Sequence, residues 1–194
     1  MPMNKPVSLS EKRNDLTRKL IMEAAYALLR AASVTELTVR AVAQQAGMSE
    51  RTVFRYFPSR DALLDTVAAQ LLSEMALPGP PGSLDALLAA PASLYGAFEE
   101  RADLTRAVLH TDLVDRVRAL QASMRWTAVA ALLEQAAPGR SEEERRIAVA
   151  NICFHLSASS WHYYRFLFGF TLEEAVRCSE TSLRQALAGL GIRG

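Results

Sequence analysis

Apolar residues in this chain recur at three- and four-residue spacing, and no stretch shows the strict alternation of a half-buried strand, so the pattern predicts an all-α fold. The first strong segment runs from Asp15 to Ala32, with Leu16, Leu20, Ile21, Ala24, Ala25, Leu28 and Leu29 read as one apolar stripe. Thr38 caps a second helix through Gln45, and Gly47 supplies a turn that needs positive φ. Ser49 caps a short third helix whose buried stripe is Val53 and Phe57. Pro58 ends it, and Ser59 opens a fourth helix from Arg60 to Met75. Leu77-Pro78-Gly79-Pro80-Pro81-Gly82-Ser83 cannot continue a helix and reads as a linker. Beyond it, helices are predicted over 84–101, 103–111, 112–136, 141–168 and 171–189, with Pro91 a point of kinking or splitting and Pro138-Gly139 and Gly169 as turns. Ser141 with Glu144, and Thr171 with Glu174, have the spacing of capping boxes.

These elements, about nine helices, divide the chain into a flexible N-terminal tail (1–14), a small helical head (15–76), the linker (77–83) and a larger helical body (84–194). Half of the 194 residues are apolar, enough for a packed core. No apolar run approaches the roughly 18 residues of a bilayer span, and the polar residues 1–10 lack a signal-peptide segment. A cytoplasmic protein with no membrane partner is expected. Charge sharpens the division. Residues 1–60 carry ten Lys/Arg and five Asp/Glu (net +5), and residues 61–194 carry twelve and sixteen (net −4), giving the overall +1. A basic head on an acidic body points to a polyanion that meets the head alone.

The stretch from Thr38 to Phe57 reads helix, turn, helix, stop, with Ala43 allowing a close helix crossing and Gly47 making the turn. With Val53 and Phe57 facing inward, Arg51, Thr52, Arg55 and Tyr56 face outward, as a helix entering a major groove requires. Arg51 in the first turn can fork onto guanine O6 and N7, and Thr52 can touch a thymine methyl or a phosphate. Arg55, Tyr56 and Arg60 suit phosphate contacts that fix register, as does Thr38 at a helix N-terminus; Arg40 and Ser49 complete the candidate surface.

The segment LTVRAVAQQAGMSERTVFRYFPSRDALL (Leu37–Leu64) resembles the signature of the TetR family of bacterial transcription regulators, and the likeness extends over about Asp15 to Leu72. Phe54 stands where the family usually has a tyrosine whose hydroxyl meets a phosphate, and Arg60 replaces the usual lysine. The resemblance implies a homodimer that binds a double-stranded, palindromic DNA operator. It also implies a body whose last two long helices form the dimer interface and whose interior takes a small, largely apolar effector of unknown identity. It implies no enzymatic activity and no cofactor. A body serving dimerisation alone is the alternative within this class; a helical enzyme or carrier protein is the alternative outside it, and no catalytic constellation supports that one.

In the body, Tyr95, Phe98, Met124, Trp126, Phe154, Trp161, Tyr163 and Tyr164 can line a pocket or fill a core. His155 and His162, seven apart on one helix face, join the pocket candidates; the spacing lacks the geometry of helical zinc pairs, and no metal is expected. The small-residue run Ser157-Ala158-Ser159-Ser160 fits a dimer interface or close packing within one subunit. Ser157, Ser160, Tyr164, Leu183 and Leu187 are the interface candidates. Cys153 and Cys178 are too few for a disulfide framework and read as free buried thiols, with a redox switch as the rarer alternative. Gly189-Leu190-Gly191-Ile192-Arg193-Gly194 spells GxGxxG, but no strand precedes it and no helix follows, so it reads as a flexible tail.

Overall fold

The computed structural model describes residues 9–31 and 37–192 of the chain, and among them every regular element is helical. The head contains α1 (Leu9–Arg30), α2 (Val39–Gln45), α3 (Glu50–Tyr56) and α4 (Arg60–Met75). The body contains α5 (Leu84–Glu100), α6 (Ala102–Leu109), α7 (Val114–Ala136), α8 (Glu142–His155), α9 (Ala158–His162), a π-turn (Tyr163–Leu167) and α10 (Leu172–Gly189).

Local chemistry sets most of these boundaries. Thr38, Ser49, Ser59 and Ser83 each sit in extended backbone and accept a hydrogen bond from the amide three residues on, the N-cap geometry. Both capping boxes form, Ser141 with Glu144 and Thr171 with Glu174. Between α2 and α3 the chain makes a Schellman turn. Gly47 has φ +65°, its amide donates to the Gln44 carbonyl at 3.2 Å, and the Met48 amide reaches the Ala43 carbonyl at 2.9 Å.

Two apolar cores result. The first gathers Ile21, Ala25 and Leu29 of α1, Val42 and Val53 of α2 and α3, and Leu63, Leu64, Val67 and Leu71 of α4. It also includes Leu104 and Val108 of α6 and Leu113, so the head is not closed on itself but seated on the body. The second joins Met75, at the end of α4, to Leu87, Leu94, Val129, Leu133, Ile152, Trp161 and Leu183 of the body helices. Helix α4 therefore runs from one core into the other.

Several expectations need correction. Helix α1 begins at Leu9, so residues 9–14 of the expected tail are helical; residues 1–8 and 32–36 lie outside the described residues. Leu16 and Leu20 are 58 % and 42 % exposed rather than part of the stripe. At roughly 100° per residue, Leu16 and Leu20 lie about 180° and about 140° round the helix from buried Ala25, on the far side from the face that also holds Ile21 and Leu29. Pro91 does not split α5, which runs unbroken through it. The GxGxxG end is tethered through Ile192: Leu190 and Ile192 are buried, and Arg140 Nε donates to the Leu190 carbonyl at 3.1 Å; residues 193–194 lie outside the described residues.

The largest correction is to the predicted helix over 141–168. It stops at His155, and Ser157 caps a new helix, α9. A break leaves carbonyls without helical partners, and three here, those of Phe154, His155 and Leu156, accept from side chains. Ser160 Oγ donates to the Phe154 carbonyl at 2.7 Å. Tyr95 Oη and Ser179 Oγ donate to the His155 carbonyl at 2.7 and 2.8 Å. Arg125 Nη1 donates to the Leu156 carbonyl at 2.9 Å. Downstream, the π-turn is closed by the Phe168 amide on the Tyr163 carbonyl at 3.0 Å and clamped by Glu99, which accepts from Arg165 Nε at 2.9 Å and Trp161 Nε1 at 3.0 Å.

Candidate DNA-binding surface and body cavity

Helix α3 presents the surface expected of a recognition helix. Val53 is fully buried, Phe57 is buried at the C-cap, and Arg51, Phe54 and Arg55 project outward. Arg40 on α2 is exposed beside them. Ser49 and Thr52 share a hydroxyl–hydroxyl hydrogen bond of 2.9 Å at the start of α3, and Thr38 Oγ1 accepts from the Ala41 amide at 3.1 Å. Tyr56 is half-buried: its hydroxyl donates to Asn14 Oδ1 at 3.1 Å, tying α3 to α1, while the Arg55 guanidinium lies 5.1 Å from its ring centroid.

Arg60 is placed differently from expectation. Its Nε donates to the Leu37 carbonyl at 3.0 Å and its Nη2 pairs with Asp112, just ahead of α7. A guanidinium engaged along its Nε–Nη2 edge joins head to body. A second joint lies nearby, where Arg116 of α7 bridges Asp61 and Asp65 on α4.

Below the head, the body encloses a cavity of about 360 Å³. Its walls come from the end of α4 (Met75), α5 (Phe98), α6 (Thr105, Val108), α7 (Val117 to Trp126) and the broken end of α8 (Cys153, Phe154). Val108 and Val117 face this cavity and also pack on the head's core. Of the aromatics named from sequence, Phe98, Trp126 and Phe154 line it.

The others are elsewhere. Tyr95 and Trp161 are fully buried and hydrogen-bonded, and desolvation raises the Tyr95 hydroxyl pKa to about 12. Met124 is 59 % exposed on α7. His155 packs against Phe154 and Tyr164. His162 meets His110, 5.3 Å between centroids, and its Nδ1 is buried without a hydrogen-bond partner. The His110 contact had no signal in sequence. Among the described residues, no group of three His, Cys, Asp or Glu could hold a metal.

The interface candidates are also redistributed. Ser160, Leu183 and Leu187 are buried in the chain's own core, so they are not on a surface that a second subunit could touch. Ser157 caps α9 at the cavity wall, and Tyr164 stacks on Phe170 inside the chain. Ile147 on α8, which had no role in the sequence pattern, is 56 % exposed, and Phe154, a pocket candidate, is equally exposed on the same helix. Cys153 and Cys178 are both free thiols, and burial pushes the Cys153 thiol pKa up.

An all-helical chain with an exposed recognition helix on a basic head defines a helix-turn-helix DNA-binding protein. Residues 21–67 match the family model described as bacterial regulatory proteins, tetR family. Those residues, from the middle of α1 into α4, hold the whole helix-turn-helix, so the head is similar to regulators of the tetR family. Its whole fold resembles the crystal structure of a TetR-family transcriptional regulator from Mesorhizobium loti MAFF303099. The TM-score is 0.50 at 15 % identity, covering 91 % of this chain and 97 % of that one. No curated protein matches the chain. Among the described residues, no helix is long and apolar enough to cross a membrane.

Proposed function

We propose that the chain works as a homodimeric repressor that leaves a palindromic operator when a small, largely apolar effector fills the body cavity. Each subunit lays α3 in a major groove, the two grooves about 34–36 Å apart, with Arg51 reading bases and Arg40 and Arg55 gripping phosphates. The exposed apolar residues Ile147 and Phe154 supply part of the dimer contact.

One observation carries the regulatory half of this reading: Val108 and Val117 belong at once to the cavity wall and to the core under the head. A ligand that changes the packing of α6 and α7 must move the seat of α1 and α4, along with the Arg60–Asp112 and Arg116–Asp61/Asp65 joints. Such a ligand weakens operator binding only by its preference for one of the two arrangements. A body used for dimerisation alone needs no cavity, which favours the effector reading.

Fluorescence anisotropy with the DNA upstream of the chain's own gene tests the first half. Binding should fall steeply between about 50 and about 200 mM salt. It should also weaken by roughly tenfold or more with Arg51→Ala, as loss of one bidentate base contact implies. Equal binding to scrambled DNA, unmoved by Arg51→Ala, overturns the reading.

A further inference from the structure

The cavity's apolar walls leave one residue unexplained. Arg125, in the middle of α7, lines the cavity and is partly buried; desolvation pulls its pKa below the ordinary guanidinium value. Its Nη1 donates to the Leu156 carbonyl at the helix break, a bond that needs a donor but no charge. Arg60, Arg116, Arg118, Arg140, Arg165 and Arg177 all have carboxylate partners; among the described residues Arg125 has none. Its titratable neighbour is Cys153, and burial keeps that thiol protonated and neutral at pH 7. The cavity wall contains no Asp or Glu. Its other cation, Arg118, is half-exposed and already held by Asp115 at 3.4 Å and Ser159 Oγ at 2.9 Å.

An uncompensated guanidinium in an apolar wall destabilises the empty protein, and an anion entering the cavity removes that cost. Guanidinium geometry selects the anion: the Nε–Nη2 edge, which meets no acceptor among the described residues, forms a planar fork that fits a carboxylate bidentately. The surrounding walls, from Phe98, Val108, Val117 and Trp126, take hydrocarbon, and the volume lies in the range of small-ligand pockets.

We propose that the cavity is a receptor for organic acids with an apolar body, the ligand carboxylate pairing with Arg125 while the hydrocarbon lies against Phe98 and Trp126. This rests on reading the body as the ligand-sensing half of the regulator.

The test is calorimetric titration of the full chain with decanoate and phenylbutyrate, each beside its neutral alcohol, decanol and phenylbutanol. The wild-type chain should bind at least one acid about tenfold or more tighter than its alcohol, as a charge-assisted hydrogen bond implies. Arg125→Gln, which keeps a donor for the Leu156 carbonyl, should erase that preference and leave alcohol binding in place. Acids no tighter than alcohols, or a preference that survives Arg125→Gln, overturns the proposal. The wild-type comparison decides by itself if Arg125→Gln fails to fold. Operator binding measured in parallel separates the two readings. Acids that bind without releasing DNA support the site and overturn the release mechanism. Acids that do not bind, on a chain that still holds its operator, overturn the carboxylate receptor alone.

Discussion

Head and body of this chain solve the same problem, closing an all-helical core, by different means. The head does it with apolar contacts between helices that follow one another closely, each stopped and started by its own caps, around Ile21, Val42, Val53 and Leu64. The body interrupts a helix in its own interior. It then repairs the exposed carbonyls with donors from three distant helices: Tyr95 on α5, Arg125 on α7 and Ser179 on α10. A buried polar network of this kind costs little when every member is satisfied and much when one is lost. The difference fits a division of labour. The head packs one fixed shape behind α3, while the body brings three helices to one point beside a cavity.

That contrast can be broken or sharpened by experiment. The largest effect is expected from Phe57→Ala, which opens the head's tightly packed core and should cost about 3–5 kcal/mol in urea denaturation. DNA binding should be lost with it. Next comes the double change Tyr95→Phe with Ser179→Ala, which strips the His155 carbonyl of both donors. A loss of about 1–3 kcal/mol is expected, because a buried acceptor is left unpaired. A negligible loss would show that the helix break does not depend on the network.

Smaller is the effect of Arg116→Ala at the head–body joint. Its carboxylate partners Asp61 and Asp65 are 73 % and 66 % exposed, so the change should cost less than about 1 kcal/mol and shrink further in high salt. A larger, salt-resistant loss would make the joint a structural member rather than a hinge contact.

The smallest effect concerns pH. Burial depresses the pKa of His155 and of His162 below the usual 6.5, and for His162 the neighbouring His110 and Arg106 add to the shift. As pH falls through about 6.5, the unfolded chain takes up these protons before the folded one does. The associated stability is therefore full above that pH and is lost below it. Tm should fall between about pH 7 and about pH 5, and His162→Gln should flatten part of the fall. An unchanged slope in the variant would remove His162 from the explanation.

The head was almost wholly legible as sequence because its signals are local. A cap needs only a hydroxyl three residues before the amide it serves, so Thr38, Ser49 and Ser59 mark helix starts directly. Gly47 marks the turn for the same reason, since only the backbone at that residue must take positive φ. The surface of α3 followed from the Val53/Phe57 stripe. The start of α1 and the placing of Arg60 were not legible: nothing nearby in sequence says that Asp112 will meet Arg60. In the body, the run Ser157 to Ser160 was visible but its purpose was not, because its serines cap a helix break rather than face a second subunit. The pocket was half legible, since aromatic type does not say which way a ring points. Phe98 and Phe154 reached the cavity and Tyr95 and Trp161 the core.

The sequence by itself determined the all-helical class, the starts of α2, α3 and α4 and the outward face of α3, all of which depend on residues within a turn or two of each other. Only the tertiary structure decided that α8 ends at His155, that α6 and α7 complete the head's core, and that one of the chain's nineteen arginines stands in a cavity wall without a counter-ion. Those features depend on donors, charges and surfaces brought together from dozens of residues apart. The free energy of pairing or stranding them exists only once the chain has folded.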